Sequence, residues 1–156
     1  MLVTRAVLAV ALLPGIFVAI LPWMIAAHDP SRGDGYDFGT ILLGAGIGVY
    51  ILCVRDFLVT GRGTLAPWDP PRRLVVVGLY NYVRNPMYIG ALLMLLGTAI
   101  CTGSTLVLAY AAIAAVAIHL RVVYFEERAL EGQFPDDWAA YSARVSRWLP
   151  RWPPRG

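Results

Sequence analysis

Residues 6–27 form a run of 22 without a single charged side chain. Wound as a helix, such a run rises about 33 Å, enough to cross a hydrocarbon core of about 30 Å. Three further apolar runs follow, over residues 38–54, 86–101 and 105–125. At membrane depth every backbone N–H and C=O must be satisfied within the fold, so runs of this length leave a helix bundle as the natural architecture. Composition agrees: 58% of the 156 residues are hydrophobic and 15% are charged, against about 25% charged in soluble domains. A disordered chain is excluded, and a soluble globule fits poorly. The predicted fold is an all-α integral membrane protein with about four transmembrane helices and a C-terminal amphipathic helix. Residues 1–60 supply an N-terminal helix pair and residues 61–156 a second unit with a helical hairpin and a C-terminal cap. Pro14 and Pro22 are tolerable in a span whose neighbours satisfy the freed carbonyls. A signal peptide is the competing reading of the first run, with Arg5 before it and Ile25-Ala26-Ala27 near a cleavage position. The length of the run and the interfacial Trp23 favour a span.

In the second run Gly44 and Gly48 are spaced to let another helix approach closely. The Gly44, Gly46, Gly48 trio lies inside an apolar run rather than after a strand, which speaks for packing over nucleotide binding. Gly90 and Gly97 share a face of the third run and leave a groove along it. That helix is short, so its start is expected below headgroup level. Residues 101–104 read as a tight turn. Cys53 and Cys101 lie within apolar runs without metal-ligand spacing; buried inert thiols are expected, with a disulfide as the alternative.

All 13 basic residues are Arg, which excludes lysine chemistry such as a Schiff base. Five of them fall in residues 55–84 and five after residue 125, while the 28–37 loop has one Arg against three Asp. The positive-inside rule then puts both termini and the central loop in the cytoplasm, so that a site opening on that side would face the cytoplasm; a bacterial inner membrane is the expected location. The net charge of +3 beside apolar runs points to anionic headgroups rather than nucleic acid. The two His residues cannot build a zinc site, and no metal is expected. Oligomeric state is not encoded in any of these patterns.

Chemistry concentrates in two places. Asn85 and Pro86 are good N-cap and first-turn residues, so a helix starts there with unpaired N–H groups and a positive dipole end. Arg84 adds a guanidinium, making an anion site at the membrane surface, although a capped helix with an Arg on lipid phosphates has the same pattern. Glu126 and Glu127 follow the fourth run, at what reads as a helix C-terminus, where negative charge is unfavourable. Helical geometry turns them about 100° apart, and a solvated helix end paired with an unspecified Arg is the alternative reading. His119 lies seven residues before Glu126 and so on its face; a hydrogen-bonded bundle residue is the plainer reading of it. From Pro135 a further helix is expected, with Trp138, Tyr141, Val145, Trp148 and Leu149 on one face and Arg144 and Arg147 elsewhere. It would lie on the membrane or cap the bundle.

The order Gly61-Arg62-Gly63, Pro67-Trp68, Gly78-Leu79-Tyr80, Arg84-Asn85-Pro86-Met87-Tyr88-Ile89-Gly90, Glu126-Glu127, Phe134, Tyr141 and Arg147-Trp148-Leu149-Pro150 resembles the isoprenylcysteine carboxyl methyltransferase and phospholipid methyltransferase superfamily. Where eukaryotic isoprenylcysteine enzymes typically have His between the Arg and the Pro, this chain has Asn85. The resemblance implies S-adenosyl-L-methionine as methyl donor, with Arg84, Asn85, Pro86, Tyr88, Gly90, Glu126 and Glu127 as cofactor-binding positions. The residues fit that ligand: Arg84 and the helix start suit its carboxylate, either Glu its ammonium or ribose hydroxyls, and Tyr88 its sulfonium or adenine. The acceptor implied is a lipid-like molecule, either an isoprenylcysteine-type carboxylate or a phospholipid amine. Only an amine needs a base, for which His119 or Glu126 is the candidate. Two other readings share parts of the pattern. An NADPH-dependent membrane reductase of the sterol-reductase type has a similar Arg-His-Pro-x-Tyr-x-Gly run, and a non-enzymatic scaffold could keep the fold alone.

Overall fold

The structure, a computed structural model, describes residues 15–61 and 73–150. The first half of the first apolar run, the motif from Arg62 to Trp68 and the last two prolines lie outside the described residues. Helix α1 is Gly15–Ala27, its first six residues wound as a π-helix just before Pro22, which has no N–H to give to the helix. Helix α2 is Phe38–Asp56, α3 is Pro86–Thr102, α4 is Thr105–Gln133 and α5 is Pro135–Arg144. Among the described residues the only β pairing is one isolated parallel bridge, Val83 with Ser146.

Two of the four apolar helices, α2 and α4, are long and apolar enough to cross a membrane; α1 and α3 are shorter. Neither long helix is the interior of a soluble core. Ile41, Ile47, Ile51 and Leu52 of α2 and Ile113, Val116, Leu120, Tyr124 and Phe125 of α4 are exposed. Exposed apolar surface of this extent marks a side that faces a membrane or a partner rather than water.

Helices α2 and α3 make the most extensive contact between elements, and glycine makes it possible. A Cβ on Gly97 would lie 2.6 Å from the Leu43 amide nitrogen, and one on Gly46 would lie 2.6 Å from the Gly90 carbonyl oxygen. Gly39 likewise faces the Gly97 carbonyl. The contact thus runs along Gly39 and Gly46 on one helix and Gly90 and Gly97 on the other, two turns apart on each. Gly44 and Gly48, the pair expected from sequence, face open space. They lie two residues either side of Gly46, about 200° around the helix, and cannot share its face. The groove expected along Gly90 and Gly97 exists and is filled by α2.

Gly103, at φ +59°, ends α3 in the left-handed conformation, and Ser104 caps α4 by accepting from the Val107 amide. Asp29 ties this turn to the end of α1: its carboxylate accepts from the Ser104 hydroxyl and the Leu106 amide and, on its other oxygen, from the Ser31 amide and hydroxyl. The Ser104 and Ser31 hydrogen bonds hold the carboxyl well below the usual carboxylate range. A depressed pKa adds stability that is complete above the unfolded value of about 3.9 and disappears as pH falls toward the folded value. Asp29→Asn is therefore expected to lower the melting temperature by several degrees at pH 7. The gap from wild type should narrow only in strong acid, as thermal melts across pH would record.

At the opposite end, residues 73–77 run extended between two clusters. Leu74 and Val76 pack on Trp138, Tyr141 and Val145, whereas Val75 and Val77 pack on Cys53 and Tyr80. Both cysteines are free thiols. Helix α5 caps this end but is shorter than the sequence pattern suggests. It stops at Arg144, and Val145 is extended, with φ −109° and ψ 129°. Trp148 and Leu149 therefore leave the α5 face, and Leu149 is exposed. The cause is tertiary: the chain turns back so that the Ser146 carbonyl accepts from the Arg84 amide at 2.8 Å.

Candidate functional site

The start of α3, the middle of α4 and the segment after α5 meet at one place. Asn85 stands at the N-cap position of α3 and Pro86 at its first turn, as the sequence predicts, yet the Asn85 side chain does not cap the helix. Its amide donates instead to the Arg147 carbonyl at 3.2 Å. Pro86 is buried. Gly90 is turned away, toward α2, with the Gly46 carbonyl 3.0 Å from its would-be Cβ.

Helix α4 does not end at Phe125. It winds through a π turn, Val122–Glu126, and continues to Gln133. Glu126 and Glu127 are thus within a helix rather than at its negative end, and what neutralises them is side chains. The wider turn also resets the helical phase. Arg121 Nε reaches Glu126 Oε1, five residues on, at 2.8 Å, a spacing that a π turn brings together and an α turn does not. His119 accordingly does not meet Glu126; its Nδ1 accepts from the Trp148 indole N–H at 3.0 Å.

Two ionic groups result. In the first, Glu127 sits between two guanidiniums. Arg84 Nη1 donates to Oε1 at 3.0 Å, while Arg147 donates through Nε to Oε1 and through Nη2 to Oε2, both at 2.8 Å. Arg84 and Glu127 are largely withdrawn from water, at 14% and 15% side-chain exposure. Arg84 also lies over the Trp138 ring, 5.5 Å from its centroid. The group carries a net charge of +1, and the Glu127 hydrogen bonds raise Arg147 further above its already high pKa. In the second group, Glu126 Oε1 accepts from the Tyr88 hydroxyl at 2.5 Å and from Arg121, whose side chain is 59% exposed. Tyr141 supports the first group from behind by donating to the Tyr80 carbonyl. Burial pushes both phenols well above their usual pKa, so they stay protonated.

Of the residues singled out from sequence, the structure brings together Arg84, Asn85, Tyr88, Glu126 and Glu127, and sets Gly90 and His119 apart from them. Sequence reasoning missed Arg147 and Arg121 as partners of the two carboxylates. Arg147 stood in the Arg-Trp-Leu-Pro run, but helical periodicity placed it only off the apolar face of that helix. Among the described residues no three His, Cys, Asp or Glu side chains come together as a metal site.

This arrangement can hold a zwitterion: an ammonium on a carboxylate and a carboxylate on a guanidinium, at a helix start beside apolar helices. Comparison with known proteins gives the family of the chain. The phospholipid methyltransferase family matches residues 36–137, a segment that contains all of both ionic groups except Arg147. Among curated proteins, the chain is 31% identical over 143 residues to the cobalt-zinc-cadmium resistance protein CzcN of Cupriavidus metallidurans. The match covers 88% of this chain and 63% of that protein. No solved structure matches the chain. With the match spanning well over half its length and both carboxylates, the chain belongs to the phospholipid methyltransferase family.

Proposed function

We propose that this protein is a membrane methyltransferase that moves a methyl group from S-adenosylmethionine to a lipid-like acceptor. The observation that carries the reading is the Arg84–Glu127 pair: a cation and an anion, both largely but not fully withdrawn from water, 3.0 Å apart, at the start of α3. The donor set fits the amino-acid end of S-adenosylmethionine, with Glu127 taking the ammonium and Arg84, helped by the first-turn amides of α3, taking the carboxylate. Asn85 and Pro86 shape that turn, and Gly90 lets α2 support it. When bound, the donor supplies an electrophilic methyl group, whose bond to sulfur breaks with the electron pair going to sulfur as the acceptor's nucleophile attacks from the opposite side. The protein contributes position and exclusion of water. Tyr88 and Glu126 face the same helix start on the side where Arg121 is exposed, and we assign that side to the acceptor. A carboxylate acceptor needs no base; an amine would pass its proton to Glu126 or His119. Lipid enters from the side and donor from the cytoplasm, with both termini and the Arg-rich central loop inside.

Binding of labelled S-adenosylmethionine to the full chain in lipid nanodiscs, with NADPH as the rival ligand, tests the donor. Saturable binding of the methyl donor is expected, and Arg84→Ala should weaken it at least tenfold, about 1.4 kcal/mol or more for a lost charge-assisted hydrogen bond. Binding of NADPH in place of the methyl donor would refute the reading. Incubation with labelled donor and a total lipid extract, followed by identification of the labelled product, names the acceptor.

A further inference from the structure

Glu127, the seat assigned above to the donor's ammonium, is already taken by a residue of the chain itself. A carboxylate offers about four lone-pair directions. Oε1 accepts from both Arg84 and Arg147, and Oε2 from Arg147. Arg147 grips both oxygens in the two-point geometry that makes guanidinium–carboxylate pairs strong. The group's +1 charge also opposes a ligand that brings an ammonium and a sulfonium against a single carboxylate. The segment that delivers Arg147, residues 145–150, has no regular structure of its own. Its polar ties among the described residues include the Val145 amide on the Tyr141 carbonyl, the Ser146 carbonyl on the Arg84 amide, the Arg147 carbonyl on Asn85, the Arg147 guanidinium on Glu127 and the Trp148 indole on His119. The last is exposed and the Arg147 side chain is one-third exposed. Val145 stays packed on Trp138 and Tyr141, but none of residues 146–150 is buried, so this part of the strap opens at low cost compared with a helix.

We propose that residues 145–150 are a latch in which Arg147 stands in for the donor's ammonium, and that the donor binds by displacing Arg147 from Glu127. The inference rests on the assignment of Glu127 to the donor. Apparent affinity is then the intrinsic affinity scaled by the fraction of molecules with the strap released. Loosening the strap must tighten binding, the opposite of what removing a ligand contact does.

The test uses the full chain in nanodiscs as wild type, Arg147→Gln and Trp148→Phe, titrated with labelled S-adenosylmethionine, with hydrogen exchange read over residues 145–150. Trp148→Phe keeps every charge and loses the indole N–H that ties the strap to His119, together with part of the ring that lies beside the imidazole. Both variants are expected to bind roughly 5- to 10-fold more tightly than wild type. Exchange in the strap should rise in wild type on adding donor and be raised in both variants without it. Weaker binding in both variants would mean that the strap is part of the seat and overturn the latch. Tighter binding in Arg147→Gln alone would trace the effect to the deleted charge and overturn it equally. Should Arg147→Gln fail to fold, Trp148→Phe decides. Donor binding with unchanged affinities sinks the latch alone, whereas no donor binding by any of the three proteins sinks the donor assignment and the latch with it.

Discussion

Glu127→Gln is expected to weaken S-adenosylmethionine binding by roughly 30- to 160-fold, about 2–3 kcal/mol, the scale for removing one partner of a desolvated, hydrogen-bonded charge pair. The size follows from burial. Glu127 and Arg84 are each about one-seventh exposed, so water cannot replace the lost carboxylate. A neutral amide leaves Arg84 and Arg147 facing each other around a single acceptor oxygen, and it offers the donor's ammonium a dipole where a charge stood. The substitution also removes what Arg147 latches onto. Any gain from a free strap is smaller than the loss of the seat, so the net effect is a loss. Isothermal titration with nanodisc-embedded protein measures it. Glu131→Gln, an exposed position one turn further along α4, should bind as wild type does. Equal affinities for wild type and Glu127→Gln would place the donor elsewhere.

Gly97→Val should have the largest effect on stability, because it acts on the helix contact that carries the site. The new Cβ would lie 2.6 Å from the Leu43 amide nitrogen and 2.8 Å from the Gly39 carbonyl oxygen. Both are backbone atoms of α2, which cannot rotate away as a side chain can. The helices must separate, at a cost of about 3 kcal/mol for an overpacked, close-approach crossing. Donor binding should fall with stability, since α3 carries Arg84 and Tyr88 at its start. Gly44→Ala and Gly48→Ala face open space and should melt within a degree or two of wild type, or slightly above it, because alanine is the better helix former. Thermal melts of the three variants in one detergent separate the two faces of α2. Similar losses at Gly44 and Gly97 would show that the α2–α3 contact is wrongly placed.

The two expectations differ in how far the sequence foresaw them. The apolar runs, the start of α3 at Asn85-Pro86, the turn before Thr105 and the position of Arg84 just before a helix start are all legible in the chain. Each is a local property: run length, a proline at a first turn, a glycine at a helix end. The partner of each charge is not local. Periodicity of 3.6 residues put His119 beneath Glu126, and the π turn at Val122–Glu126 broke that phase. The same periodicity continued α5 through Leu149, and the backbone pairing of Ser146 with Arg84 ended it at Arg144. Spacing picked Gly44 and Gly48 for helix contact. The choice of face belonged to α3, which offers its own Gly90 and Gly97 to Gly39 and Gly46.

What was determined residue by residue is therefore the inventory: apolar helices, a helix start with a cation before it, and two carboxylates that need partners. Their neutralisation was decided by packing. Residues 84, 127 and 147 are far apart in the chain, and their meeting depends on a close glycine crossing, a widened turn and a strap that folds back. Hydrophobic periodicity reports which side of an element avoids water. It carries no information about which of several arginines will be brought within 3 Å of a buried carboxylate, because that distance is set by long-range packing and by the energetic need to pair a charge that water no longer reaches.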